Sequence, residues 1–148
     1  MSEELFSLRA ATSQDIPTLD AYAAAEGMGP IPDIEHVFVA QNTAKELIGF
    51  IRLAFDNAGV CHVNPVVVCS TWRGYGVGRA LMDCAASRFG ELRLVSRGSS
   101  RSFYEALGFT PLAWDAIKPE IAAECDECEL YDECGPTPMS SSLSESEY

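Results

Sequence analysis

Arg73-Gly74-Tyr75-Gly76-Val77-Gly78-Arg79 decides the fold of this 148-residue chain, because of what lies on either side of it. Before it, Val66-Val67-Val68 is β-branched and apolar and reads as a buried strand. After it, residues 79–86 are rich in helix formers with apolar side chains at helical spacing. Three alternate glycines at a strand-to-helix junction let a diphosphate approach the backbone, and the N–H groups of a first helical turn face it. Arg79 in that first turn opposes the helix dipole, at a cost of about 0.3–1 kcal/mol unless an anion is bound there. The alternative is a glycine-rich turn that holds nothing.

Two common phosphate-binding loops do not fit. The dinucleotide fingerprint needs a third glycine where Arg79 stands, with an acidic residue about 20 positions further on. The nucleoside-triphosphate loop needs Lys and then Ser or Thr after its last glycine, and Gly78 is followed by Arg79-Ala80. What fits is Arg-x-x-Gly-x-Gly, in Arg73, Gly76 and Gly78. This resembles the acetyl-CoA pyrophosphate loop of the GNAT superfamily of N-acetyltransferases. The resemblance implies a GNAT acyl-CoA N-acyltransferase fold, an α/β (α+β) mixed central sheet flanked by helices. It implies acetyl-CoA as cosubstrate, with Val66, Val67 and Val68 along the pantetheine. Arg73, Gly74, Tyr75, Gly76, Val77, Gly78 and Arg79 would then lie at the diphosphate.

The predicted elements agree with that order. Phe6–Ala10 reads as a strand, and Ser13 caps a helix whose apolar face is Ile16, Leu19, Tyr22 and Ala23. Residues 27–32 break it. Strands follow at 37–40, 47–55 and 60–69, then the glycine loop and a helix to about Phe89. A strand at 92–95, a short helix at 100–107 and a last strand at 109–113 complete the domain. We expect a GNAT domain over residues 1–116 and an acidic, cysteine-bearing extension over 117–148.

Ser102-Phe103-Tyr104-Glu105-Ala106-Leu107-Gly108-Phe109 resembles the Phe-Tyr-x-x-x-Gly-Phe signature that ends the GNAT domain. The resemblance implies that Tyr104 reaches the sulfur of coenzyme A and gives a proton to the departing thiolate. A thiolate left unpartnered in an apolar tunnel would be a buried charge. Read without the loop, Tyr104 is a half-buried core residue. Many family members bind the pantetheine arm with an Asn six residues before that Phe, where this chain has Arg97. The neighbouring serines, Ser99 among them, can supply such hydrogen bonds, or Arg97 can reach a phosphate.

His62 is the candidate general base, since an amine must lose a proton and imidazole suits that task near neutral pH. Several GNAT members carry a Glu six residues before the position that Val68 matches, and six before Val68 is His62. A structurally bonded histidine is the alternative; Glu26 is a weaker candidate base, and His36 reads as structural.

The net charge of −12 is unevenly spread. From residue 119 onward there are nine acids and no Lys or Arg, whereas residues 1–118 carry thirteen acids and ten bases. No basic stripe suits nucleic acid, and no apolar run of about 18 residues suits a membrane. The N-terminus lacks a signal-peptide pattern, so the expected compartment is the cytoplasm. Cys125-x-x-Cys128 followed by Cys134 has zinc-ligand spacing, with a fourth ligand to come from Cys61, Cys69, Cys84 or a histidine, and free or redox-active thiols are the alternative. The expected function is transfer of an acetyl group from acetyl-CoA to a small-molecule or amino-acid amine by direct attack. The alternative is an acetyl-CoA-binding sensor acting through its acidic tail. A homodimer is left open.

Overall fold

A computed structural model of the chain describes residues 5–25, 30–31, 34–126 and 134–141, with the backbone alone for 123–126. Its helices are α1 (Ile16–Ala25), α2 (Val77–Phe89), α3 (Arg101–Ala106) and α4 (Pro119–Asp126). Its strands are β1 (Phe6–Ala10), β2 (Val37–Asn42), β3 (Leu47–Phe55), β4 (Cys61–Val68), β5 (Leu92–Ser96), β6 (Thr110–Pro111) and β7 (Thr137–Ser140). They form one mixed sheet in the order β1-β2-β3-β4-β5-β7-β6. The chain divides into two compact units, Met1–Leu53 with Pro65–Ala85 and Ala54–Asn64 with Ala86–Tyr148.

In the first unit β1 and β2 pair antiparallel, as do β2 and β3, with a register shift between Ala40 and Gln41. Leu19 and Ala23 of α1 pack with Ile31, Val37, Val39, Phe50 and Val67 in one buried cluster. Sequence reading placed the helix cap at Ser13. The chain instead makes a 3-10 turn over Ser13–Asp15, with Thr12 as the capping residue. The reason is Asp15: its Oδ2 accepts the Thr12 N–H at 2.8 Å, and both its oxygens accept from Arg9, at 2.9 and 3.1 Å. The Arg9 guanidinium holds the Asp15 carboxyl below its usual range, with burial opposing.

The second unit holds the largest departure from expectation. Within the expected extension, Thr137–Ser140 form β7 between β5 and β6. Its register runs from Arg93↔Ser140 to Ser96↔Thr137. Leu92 closes the end of the ladder, donating its N–H to Ser141 Oγ and accepting the Ser141 N–H, both at 2.9 Å. Met139 is fully buried there. The strand expected at 109–113 shrinks to Thr110–Pro111, and Leu112 donates to the Pro138 carbonyl at 3.0 Å.

Two outcomes follow. Met139→Ala leaves a hole in the sheet's core and should cost about 2–5 kcal/mol in urea denaturation, whereas a loose tail would register no change. Asp15→Asn should flatten the acid side of the stability–pH curve. The Asp15 contribution is present above the unfolded carboxyl value of about 3.9 and is lost as pH falls through the lower folded value.

Candidate active site

In the first unit, β4 ends at Val68 and a 3-10 turn over Ser70–Trp72 leads into the glycine loop. Gly74 and Gly76 both sit in the left-handed region, at φ 90° and 83°, where other residues are strained. A Cβ added to either would meet nothing within 4 Å, so their outer faces form an open cradle of bare backbone. The first helical bond runs from Ala80 N–H to the Gly76 carbonyl at 2.9 Å. The N–H groups of Val77, Gly78 and Arg79 therefore precede the helical ladder. No acidic side chain in the first turn serves them. This donor set fits a diphosphate in chemistry and in shape. One detail shifts: the Arg73 N–H turns inward to Ser70 O at 3.3 Å, so the loop's run of available donors begins at Gly74.

Strand β4 is held at this end by an approach that only glycine allows. A Cβ on Gly49 of β3 would lie 2.8 Å from the Val67 carbonyl oxygen and 3.3 Å from Val77 Cγ1. Sequence reading passed over Gly49, although a glycine inside a strand signals close backbone approach. It read Tyr22 only as part of the apolar face of α1, but the Tyr22 hydroxyl donates to the Leu47 carbonyl. Burial first, and then the Cys69 thiol and Glu46, push that phenol up to about 12. The parallel ladder of β4 with β5 consists of Cys61↔Leu92 and His62↔Arg93, and Val66, Val67 and Val68 lie beyond it.

In the second unit, Tyr104 lies on α3 and is 8% exposed, with Phe103 and Phe109 at ring distances of 5.1 and 5.7 Å. Burial pushes its phenol up to about 12, and the charge of Arg97 works against that rise. Tyr104 therefore keeps its proton through the neutral range. Ser99 is exposed in the 3-10 turn Gly98–Ser100.

His62 is placed otherwise than a general base requires. It is fully buried, its Nε2 accepts the Lys118 N–H at 3.0 Å, and its Nδ1 lies 3.0 Å from the Val60 carbonyl, to which it donates. Each ring nitrogen is thus committed to the main chain, leaving no lone pair for an incoming proton. His36 adopts φ 61° and its carbonyl accepts the Leu53 N–H. Glu26 lies outside the described residues, as does Cys128, and the side chain of Cys125 is likewise outside them. Cys134 is half-buried and free, and no group of His, Cys, Asp or Glu among the described residues could hold a metal ion. Zinc gains no support.

The mixed sheet flanked by helices is the fold of known acetyltransferases. The chain belongs to the GNAT acetyltransferase family: the model of the acetyltransferase (GNAT) domain matches residues 33–111, more than half its length. No curated protein sequence matches it. Among solved structures, it resembles N-acetylglutamate synthase from Neisseria gonorrhoeae complexed with coenzyme A and N-acetyl-glutamate. There the TM-score is 0.76 at 16% identity, over 94% of this chain and 35% of the synthase, so the chain spans about a third of that protein. Rv2747 from Mycobacterium tuberculosis, in complex with CoA and NLQ, superposes with TM-score 0.72 at 15% identity, over 90% and 97% of the two chains. Ard1 from Thermoplasma volcanium gives 0.71 at 18%, over 93% and 97%. Identities this low speak for the fold. No described helix is long and apolar enough to cross a membrane.

His62→Leu should strand the Lys118 N–H, while the Val60 carbonyl keeps the Asp56 N–H, costing about 1–3 kcal/mol in chemical denaturation. The acid limb of the kcat/KM–pH profile should survive in that variant; its disappearance would restore His62 as the base.

Proposed function

We propose that the chain is an N-acetyltransferase that takes an acetyl group from acetyl-CoA to the amine of a small molecule or amino acid by direct attack. The observation that carries this reading is the bare-backbone cradle of Gly74 and Gly76 at the start of α2. Gly74 to Arg79 would hold the diphosphate, and the main chain of Val66–Val68 the pantetheine arm. A main-chain N–H near Val68 would polarise the thioester carbonyl, and holding both reactants together supplies most of the remaining advantage. Tyr104, protonated at neutral pH, would donate to the sulfur as negative charge develops on it. No histidine among the described residues is assigned as base, and the ammonium proton would leave through solvent. The sensor alternative loses part of its footing, because Thr137–Ser140 of the tail are occupied as a sheet strand. The chain's own complexed neighbours at low identity suggest amino-acid amines as the first acceptors to try.

Thiol release from acetyl-CoA across amino acids, polyamines and peptides is the test. Tyr104→Phe should lower kcat by about 10²–10⁴-fold with acetyl-CoA affinity nearly unchanged. Equal turnover in the two proteins would return Tyr104 to a packing role, and coenzyme A binding with no transfer to any amine would favour the sensor.

A further inference from the structure

Among the described residues, Tyr75 is the large apolar side chain that the fold leaves most open, at 56% exposure. It stands between Gly74 and Gly76, the two left-handed residues of the cradle. Its ring meets Trp72 at a centroid distance of 5.2 Å and a tilt of 55°, and Trp72 in turn meets Phe6 edge-on at 6.3 Å. Trp72 is half-buried and Phe6 belongs to β1, so the exposed ring is braced from behind by a row of aromatics rooted in the sheet. A turn of this shape has no need of an aromatic side chain. Its φ values are set by the glycines on either side, and any polar residue would serve Tyr75's own backbone position.

We propose that the Tyr75 ring, backed by Trp72, is the platform on which the adenine base of coenzyme A stacks. This rests on the reading that the adjoining backbone holds the diphosphate. In coenzyme A the base is joined to that diphosphate through a single ribose, so a loop that fixes the diphosphate fixes the base nearby. Adenine is the one flat π-system in the molecule, and an open, braced phenol ring matches it in size and character. The platform adds affinity for the nucleotide end of the ligand while leaving the thioester end untouched. Tyr75 therefore acts on binding and not on chemistry.

The test compares coenzyme A binding by calorimetry in the parent, Tyr75→Ala and Tyr75→Phe, alongside the emission of bound etheno-adenine coenzyme A, which is quenched when the base stacks. Tyr75→Ala should weaken coenzyme A binding by about 5- to 150-fold, the range that one base–aromatic stack supplies. Bound etheno-adenine emission should rise in the same variant, while Tyr75→Phe keeps both parent values. An Ala variant that binds like the parent overturns the platform. So does weaker binding with the base's emission unaltered, because the lost contact is then elsewhere. Gly76→Val separates the two levels of the argument. A parent that binds coenzyme A, and loses it in Gly76→Val, upholds the loop even where Tyr75→Ala fails. A parent that does not bind coenzyme A overturns loop and platform together.

Discussion

The contact on which the glycine loop depends is the approach of β3 to β4 at Gly49. With no Cβ there, the Val67 carbonyl and the first residue of α2, Val77, both come within ordinary contact of the β3 backbone. Val77 is 1% exposed and opens α2, so the depth at which it seats sets where the helix begins. The helix start fixes which N–H groups precede the ladder, and these are the donors that a diphosphate would use. A methyl group at residue 49 would have to displace main chain, which is costlier than displacing a flexible side-chain tip. The geometry of the loop is thus tied to packing at a residue more than 20 positions away in sequence.

Much of this was legible in the residues. Strands β1 and β3 begin and end where the apolar runs Phe6–Ala10 and Leu47–Phe55 place them, and α2 ends at Phe89 as its pattern requires. The glycine loop was legible because its chemistry is local: a strand, alternate glycines and a helix are all contiguous. The tail was not, because composition hid it. Its nine acids and its cysteines read as an extension, and Pro138 gives a ladder no donor. What overrides that prior is non-local. The Pro138 carbonyl is used by Leu112, and Met139 fills a position flanked by β5 and β6, which no window of the tail's own sequence reveals.

His62 shows the same limit from the other side. Strand β4 buries Cys61, His62 and Val63 in succession, so period-two alternation cannot separate a face that reacts from a face that packs. The imidazole's role is decided by Lys118, 56 residues on, whose N–H takes the lone pair that catalysis would need. The same region shows how thoroughly polar groups are paired there. Ser140 donates to Glu91 at 2.7 Å, Arg93 donates to the same carboxylate at 2.8 Å, and Arg93 also reaches the Ala116 carbonyl at 2.7 Å. Burial raises the Glu91 carboxyl, but the bonds from Arg93 and Ser140 outweigh it and hold the group below its usual range. A half-buried polar cluster paired in this way is structural glue.

Tyr104 stands in a different setting from His62. Its surroundings are aromatic, and burial alone accounts for the rise of its phenol to about 12. A thiol ordinarily titrates near about 8.5, so a phenol this reluctant gives up its proton to a free thiolate only against a gradient. Under the proposed activity it would act chiefly by hydrogen bonding to charge that is still developing, where a neutral donor already in place costs no reorganisation. Arg97 bears on that balance, since its positive charge opposes the rise. The chain thus has a cation where many family members have an Asn. Under the proposed activity that exchange would ease negative charge beside Tyr104.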